Sequence, residues 1–152
     1  MDNTKKSTNL MAWQYLVHEA MQQSGYQGDE NIQHYLVLTL DHFSRDQNLA
    51  SVVVAIDFLL ALNSLGREGG GKMRQVGDEC LLLAGLFPER AAHKHVSLDY
   101  FVDIGREAYH LLTFQHFHWL YDSELFAKLS KDFPYLIDVL QTMRKIRHKP
   151  LH

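Results

Sequence analysis

Residues Val76 to Leu112 read VGDECLLLAGLFPERAAHKHVSLDYFVDIGREAYHLL. Val76, Cys80 and Leu83 fall at i, i+4 and i+7, so one helix face carries them all. Gly77 inside that run lowers helix propensity and marks a close approach by a neighbouring helix. Pro88 cannot continue an undisturbed helix, which predicts mostly loop from Gly85 to Val96, with room for a turn at PERAA, 88–92. Ser97 is suited to cap the next helix, and Asp99 suits its positive first turn. That helix, over about 97–115, turns Leu98, Phe101, Val102, Ala108, Tyr109 and Leu112 inward, with Gly105 among them. Gly105 and Ala108 are small enough to admit a close neighbour. Asp99, Asp103, Arg106 and His110 follow the opposite face, with Glu107 beside them. The stretch is therefore a helix–loop–helix, and it reads as all-α.

The same spacing holds outward in both directions, with almost no strand-like alternation. Residues 1–9 are polar and expected to fray, leaving a single helical domain over 10–148 and a short tail, 149–152. A first helix is predicted from Leu10 to Gln23, stopped by Gly25 and Gly28. A second starts after Asp29, an N-cap residue, and buries Ile32, Tyr35, Leu36, Thr39, Leu40 and Phe43, with His34, Asp41 and Arg45 on the other side. Leu49–Leu65, LASVVVAIDFLLALNSL, is apolar nearly all round, which predicts a central helix with Asp57 as a buried charge. GREGGGK then reads as a connection, with the next helix starting near Lys72. Beyond residue 115, Asp122 or Ser123 can cap a short helix. Asp132 followed by Pro134 signals a last one, ending in a basic run, Arg144 to Lys149. The fold expected is an all-α single-domain bundle of about six to seven helices around 49–65.

Composition narrows the class. At 152 residues the chain is long enough for one substantial core. Its net charge of -3 lacks the basic balance of a nucleic-acid binder, so nucleic acid is not an expected partner. A single cysteine cannot form an internal disulfide and needs no oxidising compartment. No signal-peptide pattern opens the chain, and Asp57, Asn63 and Ser64 interrupt the longest apolar run, so no membrane span is expected. The expected location is the cytoplasm.

Several places have the residue types for chemistry. Gly66, Gly71 and Lys72 resemble part of a phosphate loop, but Met73 stands where magnesium needs a hydroxyl and a helix precedes where a strand is required. Glu107 and His110 form an E-x-x-H pair, with Asp103 a turn earlier. Carboxylate-bridged di-metal bundles use such pairs, but they need two pairs and two further glutamates, and only one pair is present. A solvated polar face gives the same pattern. The loop residues Arg90, His93, Lys94 and His95 run into Ser97 at a helix N-terminus, where free N–H groups favour an anion; a loop kept soluble by its charge reads the same way. Ten histidines are scattered along the chain without H-E-x-x-H or a cysteine pair to organise a metal site. Cys80 sits among leucines and is expected to be buried and inert. The rings of Phe114, Phe117, Trp119 and Tyr121 are either core or a partner surface.

The segments VGDECLLLAGLFPER, 76–90, and VSLDYFVDIGREAY, 96–109, resemble a family of small uncharacterised all-helical proteins from Gram-negative bacteria. The shared pattern is G-D-x-C-L-L-x-x-G-L-F-P-E-R, then V-S-x-x-Y-F and G-x-x-A-Y. The resemblance implies a bacterial, intracellular, helical protein. It implies no activity and carries over no catalytic residue.

No complete catalytic constellation emerges, so catalytic residues and a resident cofactor are not expected. The functional expectation is a non-enzymatic interaction or regulatory module that binds a protein partner or forms a homodimer. The alternative is a helical bundle that binds a divalent metal or small ligand through Asp103, Glu107 and His110.

Overall fold

A computed structural model describes residues 3–45, 67–89, 97–114, 117 and 120–148. It is an all-α single-domain bundle. Among the described residues the helices are α1 (Asn3–Ser24), α2 (Glu30–Arg45), α3 (Arg67–Leu86), α4 (Leu98–Leu111), α5 (Ser123–Lys131) and α6 (Phe133–His148). The apolar stretch 49–65, with Asp57, lies outside the described residues. No helix among them is long and apolar enough to cross a membrane.

The centre of the described structure is α3, which packs chiefly against α4 and α6. Every residue from Val76 to Gly85 is buried, so this segment meets neighbours on all sides. A helix packed from several directions needs small residues where its neighbours come closest. A Cβ on Gly77 would overlap the Tyr109 ring of α4. A Cβ on Gly105 would overlap the Phe133 ring and stand 2.9 Å from the Cβ of Cys80. The approach of α6 is relieved at Gly85, where a Cβ would sit 2.6 Å from that of Leu140. Both close approaches marked by Gly77 and Gly105 in the sequence are therefore present.

The glycine run is a correction. GREGGGK was expected to be a connection, yet α3 already begins at Arg67. Gly69 and Gly70 are buried, and a Cβ on Gly70 would lie 2.6 Å from the Tyr121 ring and 3.2 Å from that of Phe117. Each helical glycine costs about 1 kcal/mol relative to alanine. Covering the first turns with two aromatic rings offsets that cost, because large rings bury more apolar area than any other side chains. At the other end of the chain α1 starts at Asn3 rather than near Leu10. Extending a helix whose later turns are already packed needs no new nucleus.

The caps follow the sequence closely. Gly25, at φ +77°, ends α1, and the Tyr26 N–H donates back to the Met21 carbonyl at 3.1 Å. Asp29 Oδ1 accepts the Ile32 N–H at 3.0 Å and starts α2. Ser97 caps α4 by accepting the Tyr100 N–H at 3.3 Å, and Asp122 caps α5 by accepting the N–H groups of Glu124 and Leu125. With so short a turn between them, α1 and α2 form an antiparallel hairpin that packs on itself and, through α1, on α6. Asp41 is a second correction: placed on the outer face of α2 by spacing, it is only 9% exposed. Its Oδ2 accepts a hydrogen bond from Arg45 at 2.8 Å, one turn on, while its Oδ1 is buried without a hydrogen-bond partner among the described residues.

Candidate functional site

The side chains singled out in the sequence do not come together. Asp103, Glu107 and His110 are exposed along the outer face of α4. His110 meets the Phe114 ring edge-on at 5.5 Å. Their neighbour Arg106 is used structurally: its Nε donates to the Ser130 carbonyl, and the Ser130 hydroxyl donates back to the Arg106 carbonyl. Among the described residues no group of three or more His, Cys, Asp or Glu side chains is placed to hold a metal ion. Ser97 spends its hydroxyl on its own helix, while Arg90, His93, Lys94 and His95 lie outside the described residues. The aromatic stretch divides: Phe117 is buried over α3, Tyr121 is half-buried beside it, Phe114 is 49% exposed, and Trp119 lies outside the described residues. Cys80 is fully buried, and burial followed by the nearby Glu79 charge pushes its thiol far above the usual range.

The structure instead assembles a polar cluster that the spacing did not single out. Asp78, on α3, is buried between α2 and α4. Its Oδ1 accepts the Tyr35 hydroxyl at 2.5 Å and the Tyr109 hydroxyl at 2.6 Å. The two rings meet edge-on at 6.2 Å, and Phe126 of α5 covers both, at 5.6 and 5.7 Å. Burial is the largest influence on the carboxyl and pushes it up to about 6. The two hydroxyls, then the charges of Arg74 and His42, work in the opposite direction. The phenols are themselves driven well above their ordinary value by burial and by Asp78. A carboxylate with two donors on one oxygen, sealed under rings, is arranged to hold helices in register. It lines neither of the grooves described below.

What this cluster positions is the outer surface of α2. Tyr35 fastens α2 to α3 through Asp78, while Gln33 and His34 of the same helix face α1. There they meet α1 across an open groove of about 530 Å³. One wall is Met11, Gln14, Tyr15 and His18; the other is Glu30, Gln33, His34 and Val37. Each wall repeats the i, i+3, i+4, i+7 spacing of one helix face. Val37 is buried at the floor, whereas Met11 and Tyr15 are 67% and 63% exposed on the rim. Leu38, one turn on from His34, is a further exposed apolar residue on the same hairpin. From sequence the inner stripe of α1 reads as Trp13, Leu16, Val17, Ala20 and Met21, and Met11 and Tyr15 sit outside it at positions that look like an ordinary outer face. Asp78 was equally hidden, since a single Asp within a helix has no spacing signature.

Comparison with protein-family models, with curated proteins and with solved structures finds no match to this chain.

Proposed function

We propose that this protein is a non-enzymatic interaction module that pairs with a second copy of itself through the α1–α2 groove. The observation that carries the reading is the pair of large apolar side chains, Met11 and Tyr15, standing open on the rim of a regular two-helix groove. Surfaces of this kind mark helix-in-groove contacts, in which apolar anchors at helical spacing fill a complementary trough.

The chemistry of the walls favours a second copy over a strongly charged partner. Gln14 and Gln33 each present a donor and an acceptor, so an amide can pair with its own rotated equivalent. Glu30 supplies an acceptor, and His18 and His34 supply donors. A twofold contact requires such self-complementarity, because residue i on one copy meets residue j on the other and the reverse. In that pairing Met11 and Tyr15 act both as wall and as knob.

The same reading places the protein in a bacterial cytoplasm, in keeping with its single, buried cysteine. Light scattering after size exclusion tests the pairing. A dimer across micromolar concentrations is expected, converted to monomer by Met11→Lys together with Tyr15→Lys. Both sites are exposed, so folding is retained, which circular dichroism verifies. A monomer at every concentration, or a dimer indifferent to both substitutions, removes the proposal.

A further inference from the structure

A second cleft, of about 290 Å³, opens between the α1–α2 turn and the start of α6. Two tyrosine rings, Tyr26 and Tyr135, line it, nearly parallel (17°) with centroids 6.5 Å apart. Two carboxylates, Asp132 and Asp138, line it as well, and no described lining residue is basic.

Tyr26 is held in place before any ligand arrives. The left-handed Gly25 and the Tyr26 N–H bond to Met21 set its backbone. Its ring lies against Gly28, where a Cβ would stand 2.8 Å from Cζ. Its hydroxyl donates to Asp132 Oδ2 at 2.8 Å. The opposing ring, Tyr135, is 60% exposed. Asp132, at the junction of α5 and α6, lines the cleft together with Tyr135 and Asp138, which lie three residues apart on α6 and so project toward one side.

We propose that this cleft binds an organic cation of the quaternary-ammonium class, seated against the Tyr26 and Tyr135 rings and neutralised by Asp132 and Asp138. Aromatic rings attract a weakly hydrated cation through their negative faces, and quaternary ammonium groups are recognised in this way. Such a group has no N–H, so it needs carboxylate charge nearby rather than a free acceptor. That suits Asp132, whose Oδ2 already serves Tyr26. A hard divalent ion fits the cleft poorly, since calcium and magnesium require about six or more oxygen ligands. The N-terminus of α6 opposes a cation with about half a positive charge, against the full charges of two carboxylates. Burial first, and then the hydrogen bond to Asp132, hold the Tyr26 hydroxyl in its protonated state.

The test compares choline with its uncharged carbon isostere, dimethylbutanol, by saturation-transfer NMR and calorimetry on the full chain. Choline is expected to bind and the isostere to fail. Tyr135→Ala is expected to weaken choline by about threefold to thirtyfold, the range of one cation–π contact. Asp138→Asn, at an exposed position, is expected to weaken it as well, while Tyr26→Phe keeps the ring and most of the affinity. A peptide carrying trimethyl-lysine identifies the natural source: tighter binding than choline assigns the cleft to a protein ligand, and weaker binding to a small molecule. Equal binding of choline and isostere, no saturation at tens of millimolar choline, or unchanged affinity in Tyr135→Ala overturns the proposal.

Discussion

Asp78 Oδ1 receives the hydroxyls of Tyr35 and Tyr109 at 2.5 and 2.6 Å, so a single oxygen ties α3 to α2 and to α4. The arrangement gives stability an unusual pH dependence. An ordinary aspartate, near 3.8, is raised here to about 6 by burial. Between those values the folded chain binds more protons at this group than the unfolded chain. Stability therefore falls as pH rises from about 4 to about 6 and levels off above the folded value. A shift of this size corresponds to roughly 3 kcal/mol. Urea titrations of the natural chain and of Asp78→Asn isolate the contribution: their difference in unfolding free energy is expected to move by about that amount between pH 4 and pH 7. A pH-independent difference would show that the carboxyl is not raised.

Removing one hydroxyl acts on the same oxygen. Each donor favours the ionised carboxyl, with Tyr109 the larger of the two after burial. Tyr109→Phe is therefore expected to raise the Asp78 midpoint above about 6 and to cost about 1.5–3 kcal/mol at neutral pH, the range for hydrogen bonds to a charged group. Tyr35→Phe is expected to act in the same direction. Carbon-detected NMR of the aspartate side chain reads the midpoint directly, and denaturant midpoints read the stability. An unmoved titration in both variants would mean that the hydroxyls serve other partners.

These features were unequally legible in the sequence. Gly77 and Gly105 were readable as close approaches because glycine inside an apolar helix has few other uses, and both do face rings. Ser97, Asp29 and Gly25 were readable as boundaries because capping is local chemistry. Asp78 was not, because its partners lie 43 and 31 residues away along the chain and nothing local announces them. The start of α3 was misread for a related reason: the rings that cover Gly70 come from Phe117 and Tyr121, far along the chain. Met11 and Tyr15 lie outside the inner stripe of their helix, and spacing alone cannot tell a solvated face from the wall of a groove.

Two glycines in one helix are expected to respond oppositely to alanine. At Gly71 a Cβ would meet only the Tyr121 hydroxyl oxygen, at 3.9 Å, which is ordinary contact. Gly71→Ala should gain up to about 1 kcal/mol from helix propensity alone. At Gly77 the same methyl enters the Tyr109 ring, which is fully buried and fixed by its hydrogen bond to Asp78. Gly77→Ala should lose about 1–3 kcal/mol to overpacking, even after the propensity gain. Thermal melting of both variants checks the pair. A stabilising Gly77→Ala would mean that α3 and α4 separate more readily than their packing suggests.

Cys80 supplies a reporter of that same contact. Its thiol is fully buried, and burial together with Glu79 holds it protonated far above neutral pH. A thiolate-seeking reagent therefore reaches it only when α3 and α4 part. Labelling of the folded chain at about pH 8 is expected to be at least ~10³-fold slower than labelling in denaturant, given the usual stability of a small domain. Gly105→Ala should accelerate it, because the added methyl would sit 2.9 Å from the Cys80 Cβ and also overlap the Phe133 ring. Gly71→Ala, distant from the thiol, should not. Equal labelling rates in the native and denatured chain would contradict the buried position of Cys80. Acceleration by Gly105→Ala without loss of overall stability would instead locate the opening motion at the α3–α4 contact itself.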